Sequence, residues 1–264
     1  MFKYISVSKN SFAELLAYRL NFVLWRLRVI ISILITYFLW SAIYSGKTVL
    51  FNYTAKEMFT YIVLLAFLNG VVLSTQTFRV AEEINNGSLS NYLIRPINYI
   101  KYNLFRDLAD KSVNTFFSVL ETALMLSLSK PPFIFQHDMT LILLFILSVV
   151  IAVGLYFFIS LILSFIGFWS REVWAPRFIF FIIVAFLAGT YFPLDIVPSV
   201  VYSVIQFLPF TYLVFFPLKI YLGHITTPFL LMGFSVSIIW LFILYGFTKF
   251  IWSKGLKVYT AEGK

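Results

Sequence analysis

Six long apolar segments, separated by stretches that hold nearly all the charge, constrain this chain more than any other feature. They lie at about residues 29–45, 59–75, 113–128, 141–169, 178–192 and 229–252. A bilayer core of roughly 30 Å takes about 20 apolar residues per helix. The fourth segment is long enough to tilt or project beyond the lipid, and the fifth is short. With 61% hydrophobic and only 12% charged residues among 264, the chain lacks the polar shell of a soluble domain. The expected fold class is an all-α polytopic membrane protein with six transmembrane helices, forming one domain over residues 1–264.

Proline breaks the apolar material between the last two segments, at Pro198, Pro209 and Pro217. Each removes a backbone donor and crowds the preceding turn, so one straight span is not expected there. A re-entrant hairpin over residues 193–227 fits better, because broken helix is tolerated where it packs on protein or lines a cavity.

All but four of the 20 Lys and Arg fall in the N-terminal segment, the second-to-third loop, the fourth-to-fifth loop and the tail. The four exceptions are Lys47, Lys56, Lys130 and Lys219. Basic residues favour the cytoplasmic side, so both termini are expected in the cytoplasm and the 193–227 hairpin faces outward. The net charge of +9 then reads as attraction to anionic membrane lipids rather than to nucleic acid. No cleavable signal peptide is expected in the first 28 residues, which mix Asn10 and Glu14 with basic residues.

Residues 1–28 are expected to hold an interfacial elbow helix. Phe12, Leu15, Leu16, Val23 and Leu27 recur at helical steps, and Arg19 and Arg26 can reach lipid phosphates. Residues 76–112 form a cytoplasmic loop longer and more charged than a mere connector. Within it Asn86-Gly87-Ser88 breaks one helix and offers Ser88 as the cap of the next. Leu89, Tyr92 and Leu93 give that short helix an apolar face, and Arg95-Pro96 ends it.

Catalytic and metal-binding chemistry find little support. Without cysteine there is no thiolate site, and His137 and His224 lack a third ligand at helical spacing. Ser45-Gly46-Lys47-Thr48 imitates the end of a phosphate-binding loop, but position 41 is Ser and a membrane span precedes it, not a strand.

The run Glu83-Ile84-Asn85-Asn86-Gly87-Ser88-Leu89-Ser90-Asn91-Tyr92-Leu93-Ile94-Arg95-Pro96 resembles the segment after the second span in ABC type-2 transporter permeases. Gly189-Thr190-Tyr191-Phe192-Pro193-Leu194, with Pro198, Leu208-Pro209-Phe210, Phe216-Pro217 and Tyr221-Leu222-Gly223, is similar to the fifth-span region and outward hairpin of that family. The tail Gly255-Leu256-Lys257-Val258-Tyr259-Thr260-Ala261-Glu262-Gly263 is similar to the ending of one bacterial subgroup. The resemblance implies a bacterial cytoplasmic-membrane exporter subunit that binds no cofactor itself. Its partners would be a second permease subunit, alike or related, and a cytoplasmic ABC ATPase holding ATP and Mg. The coupling helix between spans 2 and 3 would seat in that ATPase, with Arg79, Glu82, Glu83, Gly87, Leu89, Tyr92, Leu93, Arg95 and Pro96 at the interface.

Glu121 lies mid-span, where an ionisable side chain is costly and implies a role. With Tyr191, Phe192, Phe207 and Phe210 it is a candidate for the translocation path or gate, whose cargo would be amphipathic, peptide, drug-like or lipid-like. Two rival classes are a secondary transporter, suggested by Glu121, and an intramembrane enzyme, suggested by Glu82-Glu83. The first lacks a basic partner for Glu121 and an inverted repeat; the second lacks histidines on the same side.

Overall fold

Proline and glycine placement sets the helix boundaries. A computed structural model describes residues 19–260. With neither Gly nor Pro between Arg19 and Ile43, that stretch is one uninterrupted helix, α1 (Arg19–Ile43). Residues 19–28 therefore continue the first apolar segment; the rest of the expected elbow, residues 1–18, lies outside the described residues. A two-residue hairpin follows (β1, Val49–Leu50; β2, Tyr53–Thr54), its turn formed by Phe51 and Asn52 in the left-handed region. It is the one β element among the described residues.

Helix α2 (Ala55–Val71) starts at a capping box, in which Thr54 and Glu57 satisfy each other's backbone N–H groups. Short helices α3 (Phe78–Asn85) and α4 (Ser90–Leu93) follow. Asn98 then caps α5 (Tyr99–Ser129), accepting from the Lys101 N–H. Residues 99–112 are thus the first turns of a long helix rather than loop. Asp138 caps α6 (Met139–Ser164), which tightens into a 3-10 turn at Phe165–Phe168. Helices α7 (Trp174–Leu187), α8 (Ser199–Ile205), α9 (Phe215–Tyr221) and α10 (Thr227–Val258) complete the chain.

A helix occupies each of the six apolar segments. Three of these helices, over Arg26–Ile43, Met139–Phe168 and Thr227–Val258, are long and apolar enough to cross a bilayer. With the family assignment below, they make this a multi-pass membrane protein.

Residues 193–227 contain a 3-10 turn (Leu194–Ile196), α8, a second 3-10 turn (Pro209–Tyr212) and α9. Pro198 and Pro209 sit at the start of an element and Pro217 in the first turn of α9, where a missing N–H breaks no intrahelical bond. Residues 211–218 are entirely buried and join α2 and α6 in the main apolar core. At the same end, Lys219 pairs with Asp195 at 2.6 Å, Tyr53 donates to Asp195 at 3.0 Å, and His224 contacts Glu57 at 2.8 Å.

Close approach of α2 and α5 depends on Gly70. A Cβ there would lie 1.8 Å from the Ser118 hydroxyl oxygen. Gly255 does the same for α10, where a Cβ would meet the Phe168 ring at 2.2 Å.

Candidate functional site

At the end of the molecule carrying residues 76–98, a second apolar cluster gathers Val80, Ile84, Leu89, Tyr99, Phe157, Leu161, Phe165 and Phe168. Helix α3 lies across the 3-10 turn after α6, with Ala81 against Gly167. The chain reverses at Gly87, whose φ of +77° strains any side chain. Asn86 accepts the Ser88 N–H at 3.0 Å and the Ser88 hydroxyl at 2.6 Å. That turn uses up the Ser88 side chain, so the N-cap of α4 is Leu89 and not Ser88 as expected.

The nine residues expected at the ATPase interface fall into two groups. Leu89 is fully buried, Gly87 is buried and Tyr92 is half-buried against Tyr99 and Tyr102, with ring centroids 5.6 and 5.1 Å away. Glu83 accepts from Arg106 Nη1 at 2.6 Å and from the Tyr99 hydroxyl. These four residues hold the segment onto the chain's own helices, whereas the resemblance had placed them at a partner interface. A four-residue helix is too short for its period to decide which side is covered, and the turn at Gly87 decides instead. Arg79 is half-buried on α3. Glu82, Leu93, Arg95 and Pro96 are exposed. Beside them stands Ile94, 83% exposed, an outward apolar residue that the pattern did not single out.

Arg106 sits in a balance of forces. Burial lowers its pKa and is the largest single influence, but the Glu83 carboxylate together with Tyr99 and Tyr102 outweighs it, and the guanidinium ends above its ordinary value. Burial, reinforced by Glu83, pushes the Tyr99 hydroxyl well up, so it stays a proton donor to the carboxylate. A buried pair of this kind gives net stabilisation only when its other polar atoms are also bonded, and Tyr99 contributes to that.

A polar stripe continues from Arg106 along α5. Tyr99, Asn103, Arg106, Asp107, Asp110, Lys111, Asn114 and Ser118 are all buried, at three- and four-residue steps on one helix face. Asp107 accepts from the Thr75 hydroxyl at 2.6 Å and the Gln76 N–H at 3.1 Å. Asp110 accepts from Gln76 at 2.8 Å and Asn114 at 2.9 Å. Lys111 donates to the Val72 carbonyl at 2.7 Å and to the Ser74 carbonyl. From α7, Arg177 reaches Ser164 at 2.7 Å and Thr77 at 2.9 Å. Arg106 and Lys111 fall within the stretch 76–112 expected as a cytoplasmic loop; both are buried on α5.

At the far end of the stripe Glu121 pairs with Arg26 of α1 at 3.2 Å, and Arg26 also donates to Asn114. The side chains are 8% and 9% exposed. This corrects two expectations: Glu121 has a basic partner, and Arg26 does not snorkel to phosphate. The path candidates lie just before and within the proline-broken segment. Tyr191 and Phe207 are exposed, whereas Phe192 and Phe210 are half-buried beside Phe186 and Phe180. Glu121 is not brought together with these four aromatics.

The tail motif closes the cluster. Tyr259 donates to the Gly87 carbonyl at 2.7 Å and accepts the Ser90 N–H at 3.1 Å.

Long apolar helices, buried ion pairs joining them, and a tethered segment that leaves a small apolar tip outside describe a multi-pass membrane protein. Residues 30–263 match the family described as ABC-2 family transporter protein, and the chain belongs to that family. It is therefore a transport permease subunit embedded in the membrane, of a kind that associates with an ABC ATPase. No match was found among curated proteins.

Proposed function

We propose that this chain is the permease of an ATP-driven bacterial exporter, with ATP and Mg bound by a separate cytoplasmic ATPase that docks on residues 82–96. The observation that carries this is the exposed apolar tip of Leu93 and Ile94, flanked by Arg95 and Pro96, on a segment clamped from beneath by Glu83–Arg106. An apolar pair ringed by polar residues is the pattern of an interface anchor. The clamp makes the tip part of α5, so a push on it moves helices as rigid bodies.

On this reading all six apolar segments span the bacterial cytoplasmic membrane, both termini are cytoplasmic, and residues 193–227 form an outward re-entrant element. A second permease subunit completes the path. Tyr191, Phe192, Phe207 and Phe210 line its outer gate and suit an amphipathic cargo, lipid-like, drug-like or peptide. Glu121 is a structural partner of Arg26 rather than an ion carrier, which weakens the secondary-transporter alternative. Glu83, held by Arg106 and Tyr99, is a poor catalytic carboxylate for an intramembrane enzyme.

The test is co-purification of the tagged chain from mild detergent. The wild type is expected to bring an ATPase subunit in equal amount. Leu93→Asp or Ile94→Asp is expected to lose it while remaining in the membrane. An ATPase that stays bound and active with both variants refutes the docking assignment.

A further inference from the structure

The C-terminal motif has a place in the fold that its sequence does not announce. Helix α10 runs on to Val258, and Gly255 lets Phe168 pack directly on its backbone. Leu256 and Tyr259 complete the apolar cluster beneath the coupling segment, and the Tyr259 ring stands edge-on to Phe168 at 6.2 Å. At the reversal itself, the Tyr259 hydroxyl both donates to Gly87 and accepts from Ser90. One side chain thus bridges Gly87, where the chain reverses, and Ser90, the first residue of α4.

The coupling segment therefore has two attachments of different kinds. Glu83–Arg106 fixes it to α5, on the same side of the chain in sequence. Tyr259 fixes it to the end of α10, with 172 positions between Gly87 and Tyr259 in the sequence numbering. Helix α10 packs along α6 for much of its length, with Gly154 against Leu241 and Gly233 against Phe216 of α9. A displacement of the tip would reach α10, and through it the proline-broken outer segment, by way of Tyr259.

We propose that Tyr259 is a positioning residue that makes α10 follow the coupling segment during the ATPase cycle. The inference rests on the reading of residues 82–96 as ATPase-facing. Tyr259→Phe keeps the ring and its contact with Phe168 but removes both hydrogen bonds, so packing is retained while the strut is cut.

The chain has no cysteine, so spin labels can be placed one pair at a time. Lys56→Cys at the start of α2 and Thr226→Cys at the cap of α10 are both exposed at the outer end. Their separation is measured in the complex of the full chain with its co-purified ATPase, nucleotide-free and trapped with ATP, Mg and vanadate. The wild-type background is expected to show a nucleotide-dependent shift. Tyr259→Phe is expected to at least halve that shift while keeping the ATPase in equal amount, hydrolysis within twofold and the wild-type melting profile. Truncation after Val258 is expected to reproduce the loss. A full shift in the phenylalanine variant, or an α10 that does not move in the wild type, overturns the proposal. Absence of any ATPase from the wild-type preparation overturns the reading of residues 82–96 as ATPase-facing and this inference with it.

Discussion

Replacing Glu83 with Gln removes the anion facing Arg106 while keeping the size and one acceptor oxygen of the side chain. The two side chains are 12% and 6% exposed, so the guanidinium left behind stays buried. Breaking one side of a buried pair costs about 3–5 kcal/mol. The retained amide oxygen can still accept from Arg106 or Tyr99, which places the expectation near the lower end, about 3 kcal/mol. Glu82, its exposed neighbour, supplies the control: Glu82→Gln is expected to change stability by no more than about 0.5 kcal/mol. The assay is unfolding of the purified chain in mild detergent titrated with a denaturing detergent, followed by tryptophan fluorescence. A double variant, Glu83→Gln with Arg106→Gln, is expected to recover part of the loss because no lone charge is buried. If the two single Glu variants unfold at the same point, the clamp contributes nothing and the rigid attachment of the tip to α5 is wrong.

Two further outcomes follow from buried contacts elsewhere. Glu121→Gln is expected to cost about 3 kcal/mol by leaving the buried Arg26 without its counter-charge, whereas Arg26→Met with Glu121→Met together are expected to cost less than either change alone, in the same titration. Gly70→Ala drives a methyl group into Ser118 and is expected to cost about 1–3 kcal/mol by separating α2 from α5; adding Ser118→Gly is expected to restore most of it.

The helices were legible because apolar length and proline position act locally. The ends of α4 before Arg95-Pro96 and the broken helix between Pro198 and Pro217 follow from φ restriction and a missing N–H, properties of single residues. The buried stripe on α5 was missed because dense charge from Lys101 to Lys111 reads as solvated loop. Its signal was present in the spacing of Asn103, Arg106, Asp107, Asp110, Lys111 and Asn114, which recur as apolar residues do on an ordinary helix face. The division of Leu89 inward from Leu93 and Ile94 outward was not legible. It depends on the reversal at Gly87 and on Tyr259, a contact from the other end of the chain. Likewise the Arg26–Glu121 pair joins residues 95 apart, beyond any local pattern.

The most direct measurement uses Ile94→Cys in this cysteine-free chain with a membrane-impermeant maleimide. Labelling is predicted in inside-out vesicles but not in intact cells, and it should fall when the ATPase is co-expressed. Reaction in intact cells, or a rate indifferent to the ATPase, contradicts a docking tip on the cytoplasmic face.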